Sequence, residues 1–77
     1  MKNLIVIEEI DKDKKSFIIG VCDNMEKALE LTKEFFGEYE VLNIKDVRDS
    51  GIEYIYEILC EGDISKIVYR DFELNKL

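Results

Sequence analysis

The chain has no histidine, no tryptophan and no proline, and only two cysteines in 77 residues. Histidine is the usual general base near neutral pH and the commonest metal ligand, so its absence removes most catalytic and metal-binding templates. Two cysteines are too few for the disulfide framework of a small secreted domain, and no CxxC spacing offers zinc or redox chemistry. Cys22 and Cys60 read as small buried hydrophobes, with a single Cys22–Cys60 bridge as the alternative. The four glycines are isolated, so no GxSxG, GxGxxG or P-loop is present. The longest apolar run near the start, Leu4-Ile5-Val6-Ile7, stops at Glu8 and Glu9, too short for a signal peptide or a membrane span. These absences predict a cytoplasmic, non-enzymatic protein with no cofactor, no metal and no membrane contact.

Basic residues are also scarce: eleven Lys and Arg stand against eighteen Asp and Glu, a net charge of −7. Direct nucleic-acid binding needs clustered Lys and Arg on phosphates, so this balance argues against it. It suits a protein partner with a basic surface, or simple solubility.

What is present is a foldable composition, 47% hydrophobic and rich in Ile, Val, Leu, Tyr and Phe. The length allows one domain, residues 1–77. A domain this small buries only ~60% of the surface its unfolded chain exposes, so help from a partner subunit is expected.

Period-2 patterning and turn residues predict strands over 3–10, 17–22, 40–48, 52–61 and 64–74. The charged segment 11–16, the Asp49-Ser50-Gly51 segment and Glu61-Gly62-Asp63 read as turns. Gly20, inside a strand, marks a bulge or the close approach of a helix. One helix is expected after Cys22, with Asp23 as its N-cap, Glu26 completing a capping box and Gly37 as its stop. Met25, Ala28, Leu29, Thr32, Phe35 and Phe36 recur at helical spacing on one face. The fold class is therefore α+β: a two-layer β-β-α-β-β-β arrangement, with an antiparallel sheet of four to five strands and one helix on one face. Met25, Ala28, Leu29, Thr32 and Phe36 are expected to meet Tyr54, Tyr56 and Ile58 in the core.

Carboxylates are the residues that remain for function. Glu53 and Glu57 share a strand face but stand ~13 Å apart at ~3.3 Å per residue, too far for a glycosidase pair. Asp11-Lys12-Asp13 fails as a calcium loop, because Ser16 and Cys22 fall where Gly and Glu are required. Glu26, Glu30, Glu34 and Glu38 recur every four residues, which on a continuous helix makes a row stepping ~6 Å. That step is close to the phosphate spacing of a nucleic-acid strand, and the ordinary alternative is a solvated polar face. On the sheet, Glu53, Glu57 and Glu61 alternate with Ile55 and Leu59. Glu26, Glu30 and Glu34 on the helix and Glu53, Glu57 and Glu61 on the sheet are partner-binding candidates; Ile55 and Leu59 are dimer-interface candidates on a sheet face that one helix leaves uncovered.

Phe17-Ile-Ile-Gly-Val-Cys-Asp-Asn-Met-Glu-Lys-Ala-Leu-Glu-Leu resembles a pattern in small proteins of bacteriophages, prophages and low-GC Gram-positive bacteria. The matching positions are Ile19, Gly20, Val21, Asp23, Glu26 and Ala28, and Phe72-Glu73-Leu74 is similar to the last strand of those proteins. These families carry no assigned catalytic residues, so the resemblance implies a phage-like origin and no site. Three functions compete: an anti-restriction or anti-CRISPR-like inhibitor that occupies a basic nucleic-acid-binding surface, a structural or regulatory homodimer, and an oligomer that sequesters a nucleotide-like small molecule, with Tyr54, Tyr56 and Tyr69 available to stack on a base.

Overall fold

The computed structural model describes residues 3–47 and 52–73. Along the chain run β1 (Asn3–Ile10), β2 (Ser16–Cys22), α1 (Met25–Phe36), β3 (Glu40–Asp46), β4 (Ile52–Cys60) and β5 (Asp63–Glu73). The predicted Asp49-Ser50-Gly51 turn, Arg48 and Leu74 lie outside the described residues. Elsewhere the predicted boundaries differ from the observed ones by a residue or two, where period and turn residues leave them open.

The spatial order differs from the order along the chain. The five strands form one antiparallel sheet in the order β2-β1-β5-β4-β3. Short connections make β1–β2, β3–β4 and β4–β5 neighbours. The remaining contact, β1 against β5, joins the two ends of the chain with Ile7 opposite Tyr69 and Val6 opposite Arg70. Nothing local specifies that pairing.

Two turns show why their residues are where they are. Asp11 ties the first hairpin: its Oδ1 accepts from the backbone N–H of Asp13 and of Lys15, both at 2.9 Å. Its carboxylate thus organises a turn, as Asp commonly does. The β4–β5 hairpin turns through Glu61 (φ 52°) and Gly62 (φ 83°), both left-handed, as a two-residue type I′ connection requires.

The helix starts one residue later than Asp23 would place it. Asn24 is the N-cap, its side-chain oxygen accepting from the Lys27 N–H at 2.8 Å. Asp23 instead accepts from Asn24 Nδ2 and pairs with Lys27 Nζ at 3.5 Å. With Asn24 as cap, Lys27 occupies the third helical position, so no capping box with Glu26 forms. Gly37, at φ 73°, ends the helix and donates its N–H to Lys33 O.

The core gathers Ile5, Ile7, Ala28, Ile58, Ile67 and Tyr69, all at 5% exposure or less. Thr32 is the polar member of this core. Its Oγ1 donates to Ala28 O at 2.8 Å and lies 2.7 Å from Tyr69 OH. Because its one proton is used on Ala28, Tyr69 donates to Thr32, and both buried hydroxyls are satisfied. Met25, Leu29, Phe36, Tyr54 and Tyr56 pack around this cluster half-buried, as expected for the core face. Leu31 joins them although it was not expected. It reaches Gly20, where an added Cβ would meet Leu31 Cδ1 at 3.3 Å, beside a β-bulge in the β1–β2 register. Phe35 departs from the expected face and is 57% exposed, its ring edge-on to Phe36 at 4.9 Å.

Cys22 and Cys60 are free, and no bridge forms between them. Cys22 lies on an edge strand and Cys60 three strands away in the sheet order, and each thiol leans on backbone carbonyls instead. Cys22 Sγ approaches Asn24 O at 3.4 Å, and Cys60 Sγ approaches Phe36 O at 3.5 Å. Burial pushes the Cys22 thiol up, which favours its protonated form.

Candidate interaction surfaces

Two surfaces carry the residues that the sequence singles out. The first is the polar side of α1. Glu26, Glu30 and Glu34 are exposed and, among the described residues, none is held in an ion pair. Spaced by four, they form a row along the helix with a rise of ~6 Å between neighbours. Glu38 does not continue it. The helix ends at Phe36 and Gly37 redirects the chain, so the row has three members rather than four.

Beside this row lies a groove between the helix and the β2 edge. Leu4, Val21 and Leu31 form its apolar part, and Glu30, Glu34 and Asp23 bring carboxylates to it. Lys27 also lines it, but its ammonium is engaged with Asp23. An open slot with apolar floor and acidic wall suits Lys or Arg side chains, whose stems are apolar and whose heads are charged. Sequence reasoning missed this groove because it is built from three separate segments.

The second surface is the sheet face opposite the core. Cross-strand partners share a face, so the register places Val6, Glu8, Ile55, Glu57, Leu59 and Val68 together there. Of the acidic stripe expected on β4, Glu57 keeps its place on this face and Glu61 does not. Glu57 is half-buried, opposite Lys66 in the register, and accepts from Asn43 Nδ2 at 3.3 Å. Glu61 sits in the hairpin turn rather than on the strand, because its left-handed backbone is needed to reverse the chain. The Glu53 side chain lies outside the described residues. Ile55 and Leu59 are on this face as expected, both half-buried.

An ion pair stands in the middle of it. Arg70 Nε donates to Glu8 Oε1 at 2.9 Å, and Ser16 Oγ donates to Glu8 Oε2. The Ser16 hydroxyl and then the Arg70 guanidinium hold the Glu8 carboxyl below the usual carboxylate range, against the opposing effect of burial.

Four tyrosines converge on the core side. Tyr56 sits edge-on to Tyr69 at 5.1 Å and to Tyr54 at 6.4 Å, and Tyr39 stacks edge-on to Phe36 at 6.1 Å. Burial raises the Tyr39 and Tyr56 phenols and pushes Tyr69 up to about 12. The rings pack edge-on, and the Tyr39, Tyr56 and Tyr69 hydroxyls stay neutral at ordinary pH.

Among the described residues no group of three His, Cys, Asp or Glu is arranged to hold a metal ion, and no helix is long and apolar enough to cross a membrane. Comparison with protein-family models, curated proteins and solved structures finds no match to this chain.

Proposed function

We propose that this chain is a small, non-enzymatic binding protein of phage or mobile-element type that occupies a basic nucleic-acid-binding surface of a cytoplasmic host protein and so blocks it. The observation that supports this most is the unpaired row Glu26, Glu30, Glu34 beside a groove with an acidic wall. Its ~6 Å step approximates the spacing of successive phosphates along a strand. A two-layer arrangement with the helix on one sheet face belongs to the same reading. It is supported by the Thr32–Tyr69 hydrogen bond and by the burial of Ala28, and it turns the acidic side of the helix outward. The phage-like resemblance around Ile19–Ala28 points the same way, since that segment is the strand, cap and helix that build the groove.

Electrostatic docking of this kind is steered by the field of the whole acidic domain and weakens with salt. The test replaces Glu26, Glu30 and Glu34 with Lys and uses the parent chain as bait on host lysate. The reading requires that the captured protein bind nucleic acid, that the parent displace the nucleic acid, and that the triple variant do neither while keeping its fold. A captured protein released equally by parent and variant overturns the role of the ridge.

A further inference from the structure

We propose that the sheet face opposite the core is covered by the same face of a second copy of this chain, giving a two-fold dimer. This inference rests on the centre of that face rather than on the acidic helix; Leu4 and Val21, at its β2 end, also border the groove.

The apolar pattern is the first argument. An antiparallel sheet with one face in water shows clean alternation of apolar and polar residues. Here β1 contains Leu4-Ile5-Val6-Ile7 and β5 contains Ile67-Val68-Tyr69, apolar on both faces. Ile5, Ile7, Ile67 and Tyr69 are consumed by the core. Leu4, Val6 and Val68 point the other way; Leu4 and Val6 are half-buried there, and Val68 is 3% exposed. Ile18, Val21 and Ile64, at 70%, 52% and 52% exposure, extend the same face toward its margins. Such central strands are patterned for burial on both sides.

Charge decides the occupant. Over the whole chain the balance is −7, so two copies repel through most of their surface. On this face the described charges cancel: Glu8, Glu40 and Glu57 against Lys45, Lys66 and Arg70, as the register places them. It is the surface through which a second copy can approach without that penalty, and each copy brings both signs to the contact. A basic partner, by contrast, has nothing to gain here. Glu8 and Arg70 are already bonded to each other, so closing the face desolvates a satisfied pair rather than a lone charge.

Area sets the strength. Five strands at ~4.8 Å, over ~25 Å of their length, give ~600 Å² per copy and ~1,200 Å² for two, the lower limit of a specific interface. A dissociation constant of ~1–100 μM is the scale to expect.

Sedimentation velocity across that range of concentration tests it, with circular dichroism as the control for folding. The parent should shift from monomer to dimer. Ile55→Lys, near the centre of the face, should leave only monomer. Lys66→Glu, at an exposed position, should weaken the dimer at least ~10-fold by giving each face a net charge, and adding Glu57→Lys should restore most of the loss. Raising the salt should preserve or strengthen the dimer, whereas docking through the helix weakens, so the two readings fail separately. A parent that stays monomeric overturns the proposal and leaves the face to a lipid or a different protein. A dimer indifferent to both Ile55→Lys and Lys66→Glu overturns it as well.

Discussion

Val6 and Ile7 are neighbours in β1 and nearly the same side chain, yet Ile7 is inaccessible to solvent and Val6 is only half-buried. The difference is the face. Ile7 points into the cluster with Ile67, Tyr69 and the helix, while Val6 points outward beside Val21 and Arg70. β3 extends the same lesson: Val41, Leu42 and Ile44 are as apolar as the core strands, and all are exposed. An edge strand has a single neighbour, and the helix backbone comes closest to β2 and β1 at the far end of the sheet, with single side-chain contacts reaching β5 and β4. Hydrophobicity qualifies a residue for burial, and topology decides which residues receive it.

The largest effect should separate the two faces. Ile67→Ala deletes a side chain with 0% exposure and should cost ~3–5 kcal/mol, most of the stability of a domain this size. Ile64→Ala, half-exposed on the opposite face, should cost less than ~0.5 kcal/mol in the monomer. Urea unfolding at concentrations below dimerisation measures both. Comparable costs would break the distinction between a packed face and an open one.

Tyr69 gives the next largest effect and tests the packed face by pH. Its folded pKa, pushed up to about 12, lies above the unfolded value of ~10 because burial disfavours the phenolate. The unfolded chain therefore loses its proton first as pH rises. Stability is fully present below pH ~10 and is lost as pH passes through about 12, ~2–3 kcal/mol in all. Tyr39 and Tyr56, shifted in the same direction, add to the slope. Tyr69→Phe should flatten the alkaline loss while costing ~1 kcal/mol at neutral pH through the missing hydrogen bond to Thr32. An unchanged alkaline profile would mean that the ring is not the buried group it is taken to be.

How much of this was legible in the sequence depends on whether the cause is local. Strand period, the charged Asp11 turn, the Glu61-Gly62 reversal and the Gly37 stop are short-range effects, and each element was readable within a residue or two. The core face of α1 was readable for Ala28 and Thr32, because 3.6-residue spacing fixes which positions share a side. Leu31 and Phe35 were misplaced because they flank that face, where the tilt of the helix against Gly20 decides. The β1–β5 pairing was not readable, since loop closure leaves a partner 60 residues away unspecified by local pattern. The same long-range pairing builds the Glu8–Arg70 ion pair, so the face it occupies could be guessed from Ile55 and Leu59 but not drawn.

The helix cap offers a smaller effect, about 1 kcal/mol. Asn24→Ala removes the acceptor of the Lys27 N–H and should destabilise by ~1 kcal/mol, whereas Asp23→Ala should cost under ~0.5 kcal/mol, since it loses an exposed pair with Lys27 and an exposed hydrogen bond from Asn24 Nδ2. Thermal unfolding ranks the two. The reverse order would return the cap to Asp23 and move the first turn of the helix, and with it Glu26, relative to the groove.

The smallest effect carries the most information about the acidic row. Like charges four residues apart on a helix repel by a few tenths of a kcal/mol per pair. Glu30 is the middle member, with Glu26 on one side and Glu34 on the other, and no cation of the described residues is bonded to it. Glu30→Gln removes both repulsions and keeps the shape and helix propensity of the side chain. It should therefore stabilise the domain by ~0.5 kcal/mol at low salt, and the gain should shrink as salt screens the row. A gain of that kind would mean that the row costs stability, so that folding does not explain its presence. A loss would mean that Glu30 is needed for the fold itself, through Lys27 or Lys33, and the ridge would become part of the structural frame rather than a surface held out for a partner.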